Sequence, residues 1–245
     1  MKTPSPACGG GLGWGPPHAL RLAPHAVLFD LDGTLVDTAP DLAYAANGVR
    51  ADLFLPPLAL RHYRPVASSG ARGLLKVALN LDPEHADFPK RRDRFLEIYR
   101  ANLSRESQLF HAMEQALQTL EQNNIRWGVV TNKPDWLAQP LMQELKLAPR
   151  AACTIGIRDG LAPKPAPDPL LLACRQLGLA PAECVYVGDD RRDMEAGRAA
   201  GMPVLAAAWG YIGVEESLED WGADAILQSP AELEQLITER SSVRK

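Results

Sequence analysis

The chain has 245 residues, of which 46% are hydrophobic and 23% are charged. This composition excludes an extended disordered chain, and the length suffices for one substantial core together with a smaller module. The formal net charge of −4 gives no overall attraction to nucleic acid or to an anionic membrane surface, so neither partner is expected.

Residues 1–23 are rich in Gly and Pro and lack the continuous apolar segment and the small-residue cleavage site of a secretory signal. We interpret them as a flexible extension that takes no part in the fold. The alternative, that translation starts further downstream, fits the composition equally well.

The first predicted element is a strand at 26–29. The four apolar residues A-V-L-F end at Asp30, and a turn containing Gly33 follows, which is typical of a buried strand that leads into a loop. A helix is predicted next, because Thr38 and Asp41 have the spacing of a helix start and apolar residues then recur with helical periodicity.

A separate helical module is predicted between residues 41 and 105. This segment has no strand-like run, and prolines interrupt its stretches of Arg, Leu and Ala, which is typical of several short helices. The predicted domains are therefore an α/β core formed by residues 24–40 and 106–245 and a helical domain at 41–105.

Helical and strand-like segments alternate in the remainder of the chain. Helices are predicted at 113–120, 168–177 and 194–200, and strands at 125–131, 153–157, 184–187, 203–207 and 225–227. A last helix is predicted after Ser229, which forms a capping box with Glu232. Such alternation is typical of a doubly wound parallel sheet, in which Asp30, Thr131 and Asp189 would meet outside the carboxyl ends of the strands.

Asp30 and Asp32 form a D-x-D pair at the end of the first strand, followed by Gly33 and Thr34. Two carboxylates at this spacing could face one phosphate and one cation. Taken alone, the pair is more typical of a solvated turn. An EF-hand calcium loop is excluded, because Gly33 is the fourth residue counted from Asp30 and not the sixth.

Further polar residues follow the later strands at places where phosphate chemistry needs them. The Thr131 hydroxyl could donate to a phosphoryl oxygen, with Asn132 beside it, and Lys164 could hold the carboxylate of Asp30 and offset charge on the phosphoryl group. Asp189 supplies a hard oxygen ligand. Because Mg²⁺ prefers one or two carboxylates with substrate phosphate and water, Asp30, Asp189 and the backbone carbonyl of Asp32 form the predicted metal site.

These residues resemble the motifs of the haloacid dehalogenase-like superfamily, namely D-L-D-G-T at 30–34, V-V-T-N at 129–132, Lys164 and G-D-D-R-R-D at 188–193. The resemblance extends from about Pro24 to the C-terminus. It implies a Rossmann-like core with a helical cap inserted directly after the first motif, as in phosphoglycolate phosphatases and their relatives.

The resemblance also implies roles for the residues at the strand ends. Asp30 would be the nucleophile, and Asp32 would protonate the leaving alkoxide and later deprotonate the water that hydrolyses the aspartyl phosphate. The phosphate and the metal would be positioned by Thr131, Asn132, Lys164, Asp189 and, behind the metal ligands, Asp193.

The sequence departs from the family pattern at Asp190, where many relatives have Ser or Thr. This carboxylate either tunes the metal site or caps the following helix, whose dipole it suits. Dehalogenases of the superfamily lack an acid at the position of Asp32, which disfavours dehalogenation. Phosphomutases similar to β-phosphoglucomutase typically have a glutamate where this chain has Gly188, so hydrolysis is favoured over phosphoryl transfer between sugar positions.

Substrate contacts are predicted from the helical cap. The run S-S-G-A-R at 68–72 places Ser69 beside Arg72, whose guanidinium could bind a substrate carboxylate through two hydrogen bonds, and Arg64 is a further candidate. Arginines on cap helices are also often solvated surface groups. The residue types alone do not separate the two interpretations.

The chain resembles one branch of the family in further motifs. This branch is the N-acetylmuramic acid 6-phosphate phosphatases of bacterial cell-wall recycling, which were long grouped with the phosphoglycolate phosphatases. These motifs are L-P-P-L at 55–58, G-A-R at 70–72, W-G-V-V-T-N-K-P at 127–134, V-G-D-D-R-R-D at 187–193, G-Y-I at 210–212 and W-G-A-D at 221–224. Both substrates have a carboxylate near a phosphate ester, so the resemblance does not decide between them.

The expected substrate is therefore a small phosphate ester, and the expected cofactor is Mg²⁺. The protein is expected to be a monomer or a homodimer. A non-catalytic binding module with the same fold is the alternative outside the enzymes. A cytoplasmic location is expected, because no apolar run approaches the roughly 20 residues of a membrane-spanning helix and the cysteines have no metal-binding spacing. Those cysteines are Cys8, Cys153, Cys174 and Cys184.

Overall fold

A computed structural model of the chain describes residues 24–213 and 217–233. The predicted extension at 1–23 and the C-terminal part of the last predicted helix lie outside these residues. The strands are β1 (Ala26–Phe29), β2 (Val36–Asp37), β3 (Gln108–Leu109), β4 (Arg126–Pro134), β5 (Thr154–Ile157), β6 (Cys184–Gly188), β7 (Val204–Ala207) and β8 (Ala225–Leu227). Six of them form a parallel sheet in the order β5-β4-β1-β6-β7-β8, which confirms the predicted doubly wound fold.

Helices connect the strands and cover the sheet. They are α1 (Ala39–Ala51), α2 (Leu60–Tyr63), α3 (Gly70–Leu79), α4 (Phe88–Arg100), α5 (Met113–Gln122), α6 (Asp135–Glu144), α7 (Asp168–Leu177) and α8 (Arg191–Ala200), with short 3₁₀ helices at Arg64–Ser69, Pro181–Glu183 and Leu218–Trp221. None of the described helices combines the length and the apolar character needed to cross a bilayer.

The central strand β1 is buried on both faces. Val27 and Phe29 pack in one apolar cluster with α5 and α6, whereas Ala26 and Leu28 pack in a second cluster with α7 and α8. This division follows from the two-residue period of a strand, and it explains why β1 is a continuous apolar run. A sheet covered in this way leaves the carboxyl ends of its strands as the place for a ligand site.

The helices α1 to α4 form an insertion between β2 and β3. These two short strands pair antiparallel, with Val36 opposite Leu109 and Asp37 opposite Gln108. The chain therefore leaves the core and returns to it through one narrow ribbon, which sequence analysis did not predict. Helices without strands within the insertion agree with the prediction for this segment.

Asp41 fixes the return of the chain from the insertion. Its buried carboxylate accepts hydrogen bonds of 2.7 to 3.1 Å from the N–H groups of Glu106 and Ser107 and from the Ser107 hydroxyl. Thr38 is the N-cap of α1, as predicted, but its hydroxyl donates to Asp32 and forms no side-chain cap. The division into two domains stays a prediction, since the apolar cluster of the sheet continues into α1, α3 and α4.

The last predicted helix starts at residue 230. The carboxylate of Glu232 accepts a hydrogen bond of 3.0 Å from the N–H of Gln228. The helix therefore begins directly after Ser229, as predicted, but the donor to the Glu232 carboxylate is the N–H of Gln228 and not that of Ser229, which the capping box required.

Candidate active site

Three strand ends bring the predicted polar residues together. Phe29 of β1 lies opposite Val129 of β4 and Val187 of β6, so the residues that follow these positions reach the same edge of the sheet. Carboxylate oxygens of Asp30, Asp189 and Asp193 lie within 4.8 Å of one another, and all three residues are buried. The predicted convergence of distant chain segments is therefore present in the structure.

Asp30 and Asp193 of this cluster line a cavity of about 420 Å³. Its floor includes Asp30, Thr131 and Lys164, which are contributed by the core, while the insertion supplies the opposite wall. The apolar part of that wall is formed by Leu42, Ala67, Ala71, Phe95 and Leu96. A polar floor opposite a partly apolar wall suits a ligand whose charged group lies at the floor.

Lys164 lies between two carboxylates at the floor of the cavity. Its ammonium is 3.1 Å from Asp30 Oδ1 and 2.6 Å from Asp193 Oδ1, and it donates to the Tyr186 hydroxyl at 2.7 Å. Burial alone would lower the pKa of Lys164, but the charges of Asp193 and Asp30 raise it above its ordinary value. Lys164 is therefore a fixed positive charge beside Asp30.

Asp30 is held in place through one of its two carboxylate oxygens. Oδ1 accepts the Leu31 N–H at 2.7 Å and contacts the Lys164 ammonium. Oδ2 has no hydrogen bond from the part of the chain that the structure describes. One oxygen of Asp30 is therefore free to meet a phosphorus atom or a cation.

Asp189 is anchored by donors from three different segments. The Thr34 hydroxyl donates to Oδ1 at 2.7 Å, and Oδ2 accepts the Tyr211 N–H at 2.9 Å and the Ser68 hydroxyl at 3.0 Å. Gly33, with φ of +90°, permits this approach, because a Cβ atom there would lie 2.1 Å from Asp189 Oδ2. Burial and the negative charges of Asp30 and Asp193 raise the pKa of Asp189 well above its ordinary value.

The three clustered carboxylates fit a divalent cation. Burial raises the pKa of Asp193 to about 6. Among the described residues, Lys164 is the only one whose ammonium or guanidinium contacts the cluster. Three buried carboxylates with one compensating charge are unfavourable without further positive charge. The donors are hard oxygens of the kind that Mg²⁺ prefers, so Asp30 and Asp189 could hold this ion, with Asp193 behind them.

Asp32 lines the same cavity and is oriented by two donors. The Thr38 hydroxyl donates to Oδ1 at 2.6 Å, and the Lys133 ammonium contacts both oxygens at 2.9 and 3.1 Å. Lys133 also donates to the hydroxyl of Tyr99 from α4, at 2.8 Å. Sequence analysis did not identify Lys133, although the two-residue period of β4 places it on the same face as Thr131.

The two other predicted phosphate ligands differ in availability. Thr131 is buried and lines the cavity, and its oxygen accepts the Lys133 N–H at 3.2 Å, which leaves the hydroxyl proton available. The side chain of Asn132 instead bonds the backbone of Lys164 through both its amide nitrogen and its oxygen, at 2.9 and 2.8 Å. In this geometry Asn132 holds the Lys164 loop, and the second N–H of its amide has no partner in the described part of the chain, so Asn132 stays a predicted phosphate ligand.

The predicted substrate contacts of the insertion fall into two groups. Ser69 and Arg72 line the cavity, and Arg72 has no hydrogen bond or ion pair within the described ranges. Arg64 is not among the cavity-lining residues, because Asp37 holds its guanidinium through two bonds of 2.9 and 3.0 Å. Arg92 of α4 also lines the cavity and was not identified from the sequence.

Asp190 caps α8, as one of its two interpretations predicts. Its carboxylate accepts the Arg192 N–H at 2.9 Å, and the Asp193 carboxylate accepts the Asp190 N–H at 3.0 Å. Asp190 also pairs with the Arg192 guanidinium at 2.6 Å, which in turn donates to the backbone carbonyl of Ser68 at 3.0 Å. Asp190 therefore contributes to a contact between the core and the insertion.

Comparison with protein families matches residues 27–207 of the chain to the haloacid dehalogenase-like hydrolases. An N-acetylmuramic acid 6-phosphate phosphatase from Pseudomonas putida is 44% identical over 212 residues, which cover 86% of this chain and 95% of the relative. A phosphoglycolate phosphatase from Xanthomonas campestris pv. campestris is 46% identical over 215 residues, with coverage of 86% and 95%.

A solved structure of similar fold is that of a predicted phosphoglycolate phosphatase from Haemophilus somnus. It superimposes with a TM-score of 0.76 at 26% sequence identity and covers 87% of this chain and 97% of its own. Similarity over this share of both chains includes the strand ends and the helical insertion.

Proposed function

The chain belongs to the haloacid dehalogenase-like hydrolases, and we propose that it hydrolyses a small carboxylated phosphate monoester with the help of Mg²⁺. The candidate substrates are N-acetylmuramic acid 6-phosphate and 2-phosphoglycolate, after the names of its relatives. The observation that carries the proposal is the position of Asp30, which lines the cavity, contacts the Lys164 ammonium and lies within 4.8 Å of the Asp189 and Asp193 carboxylates.

In the first half of the reaction, the unengaged oxygen of Asp30 attacks phosphorus and forms an aspartyl phosphate. The Thr131 hydroxyl donates to a phosphoryl oxygen, and the positive charge of the Lys164 ammonium beside Asp30 stabilises the negative charge of the phosphoryl group. Asp32 transfers its proton to the oxygen of the departing alcohol. Lys133 and Thr38 orient the Asp32 carboxylate for this step.

In the second half, a water molecule attacks the phosphorus of the aspartyl phosphate, and Asp32 takes up its proton. Phosphate leaves, and Asp30 returns to its carboxylate form. Bound Mg²⁺, held by Asp30, Asp189 and the Asp32 carbonyl, would neutralise charge on the phosphoryl group.

The charge of the insertion supports an anionic substrate. Residues 41–105 contain eleven Lys or Arg and seven Asp or Glu, although the whole chain carries a net charge of −4. An excess of positive charge beside a cavity attracts anionic ligands and raises their rate of association. Arg72, which is unpaired within the described ranges and lines the cavity, is the proposed partner of the substrate carboxylate.

We place the reaction in the cytoplasm. The three cysteines of the described ranges, Cys153, Cys174 and Cys184, are buried free thiols, which is the expected state in a reducing compartment.

A phosphate-release screen tests the proposed function. Purified protein with MgCl₂ is given 2-phosphoglycolate, N-acetylmuramic acid 6-phosphate and common sugar phosphates at equal concentration, and we expect release to be fastest from a carboxylated ester. Product analysis by NMR separates hydrolysis from phosphomutase activity, in which isomerised sugar phosphate would exceed free phosphate. Absence of release from every ester would exclude the proposal.

Removal of divalent metal is expected to lower phosphate release by at least about 100-fold, because the charge of the phosphoryl group and of three carboxylates then lacks its main compensation. The measurement is the rate in EDTA, followed by addition of excess MgCl₂, which should restore it. MgCl₂ should also raise the melting temperature, since an ion that binds only the folded chain stabilises it.

Asp189→Asn should abolish the Mg²⁺-induced rise in melting temperature, whereas the matched change Asp190→Asn should retain it, because Asp190 is engaged with Arg192. Full activity in EDTA would contradict the metal assignment.

Arg72→Gln is expected to raise KM for a carboxylated ester by about 10- to 100-fold, since a lost charge-assisted hydrogen bond typically costs about 1.5 to 3 kcal/mol. The KM for esters without a carboxylate should stay unchanged. Arg61→Gln is the control, because Arg61 is an exposed arginine of the insertion that does not line the cavity. An equal effect of Arg72→Gln on both kinds of ester would refute a carboxylate contact.

A further inference from the structure

A second cavity lies between α4 and the start of α6. It has a volume of about 520 Å³ and is lined by Asp93, Leu96, Glu97, Arg100, Ala101 and Trp136, and we call it the outer cleft. Leu96 lines both the outer cleft and the catalytic cavity, so the two spaces adjoin at this side chain. Leu96 is thus the boundary that a ligand occupying both spaces has to cross.

Trp136 gives the outer cleft an aromatic surface. Its side chain is 47% exposed, which is uncommon for so large an apolar group, and the Arg100 guanidinium lies 5.7 Å from the ring centroid. Asp93 and Glu97 each use one carboxylate oxygen to bond a neighbouring arginine, and the second oxygen has no bond in the described part of the chain. The cleft thus combines one aromatic ring with exposed acceptors and a donor.

This combination matches the surface of a sugar ring. The C–H face of a pyranose is apolar and packs on an indole, while its hydroxyl groups at the edge exchange hydrogen bonds with carboxylates and a guanidinium. Residues 93, 96, 97 and 100 recur at helical spacing on α4, so they form one stripe that faces Trp136 across the cleft.

We propose that the outer cleft is a saccharide subsite, which binds the part of a sugar phosphate remote from the phosphate and stacks it on Trp136. This inference rests on the proposed function and narrows its substrate class to phosphate esters of sugars or sugar acids. The two-carbon ester 2-phosphoglycolate has no sugar ring, so it has no apolar face that could stack on Trp136.

The competing role of Trp136 is purely structural. Its contact with Arg100 joins the insertion to the core, and such a cation–π pair contributes to stability whatever the substrate. Loss of a structural contact would change the kinetics of all esters alike. A saccharide subsite predicts instead that large and small esters respond differently.

Trp136→Ala is therefore compared on two esters. We expect KM for N-acetylmuramic acid 6-phosphate to rise about tenfold, while kcat/KM for 2-phosphoglycolate stays within about twofold. The matched control is Tyr44→Ala, because Tyr44 is 45% exposed, has the Arg105 guanidinium 4.1 Å from its ring centroid, and lines neither cavity. Tyr44→Ala should change the kinetic constants of neither ester. Equal effects of Trp136→Ala on both esters, or none on the sugar ester, would overturn the proposal.

A second measurement needs no turnover. Unphosphorylated N-acetylmuramic acid is titrated while tryptophan fluorescence is recorded, and the same titration on Trp136→Phe isolates the signal of Trp136 from that of the other four tryptophans. A saturable change that is lost in Trp136→Phe supports the subsite, and no change in the unsubstituted protein overturns it. If no ester releases phosphate, the proposed function fails while this titration still decides the subsite.

Discussion

Asp30→Asn is expected to lower kcat for phosphate release by at least about three orders of magnitude. The amide has nearly the same shape as the carboxylate but lacks its negative charge, so it cannot form the acyl phosphate bond. Binding should persist, because Thr131 and Lys164 still face the phosphate. The measurement is steady-state phosphate release with saturating ester and MgCl₂, alongside the thermal unfolding midpoint.

Asp41→Asn is the matched control for this substitution. Asp41 is as deeply buried as the site carboxylates, but its oxygens bond Glu106 and Ser107 away from the cavity. We expect its kcat to stay within about threefold of the unsubstituted enzyme, even where the melting temperature falls. If Asp30→Asn retained more than a tenth of the original kcat, another residue would have to be the nucleophile.

Lys164→Met is expected to lower both activity and stability. It removes the cation that separates Asp30 from Asp193, which leaves two buried carboxylates without compensation. Removing one partner of a buried ion pair typically costs about 3 to 5 kcal/mol of unfolding free energy. Loss of its contact with the phosphoryl group should lower kcat by about 100-fold or more. Denaturant unfolding and phosphate release measure the two effects separately.

Lys76→Met provides the comparison for Lys164→Met. Lys76 is also paired with an aspartate, Asp82, at 2.7 Å, but both side chains are about half exposed. Exposed ion pairs contribute at most about 1 kcal/mol to the free energy of unfolding. Neither this free energy nor kcat should therefore change much in Lys76→Met. If Lys76→Met and Lys164→Met had similar effects on unfolding, the Lys164 ammonium would not be compensating buried charge.

The architecture of the core was predictable because its signals are local. β1, β6 and β7 are short apolar runs, and each ends close to a polar residue or a turn, so their parallel alternation with helices could be read from the sequence. The same pattern predicted that Asp30, Thr131 and Asp189 lie at one edge. The helix α6 was missed, since Pro140 within it obscures the periodicity.

The contacts that depend on tertiary packing were not predictable from the sequence. The Asp189 carboxylate accepts a hydrogen bond from the N–H of Tyr211, which lies 22 residues further along the chain. The Asp32 carboxylate accepts one from Lys133 of β4. No local pattern marks such pairs. Arg64 and Arg72 look alike in sequence, and only the position of Asp37 beside Arg64 separates a structural ion pair from a group that lines the cavity.

Asn132 illustrates a contact that a motif does not reveal. It stands beside Thr131 at a strand end, which suggested a phosphate ligand. In the structure its amide also bonds the backbone N–H and carbonyl of Lys164, so it positions the Lys164 loop in addition to its predicted role. Motifs specify which residues are near the site, whereas the hydrogen-bond inventory decides what each can still bind.

Acid quenching during turnover tests the covalent step most directly. The enzyme is mixed with excess ester and MgCl₂, quenched within milliseconds, digested and analysed by mass spectrometry. We expect one phosphoryl group on the peptide that contains Asp30, and none in Asp30→Asn. Rapid phosphate release without any phosphorylated peptide, or with the phosphoryl group on a different residue, would contradict Asp30 as the nucleophile.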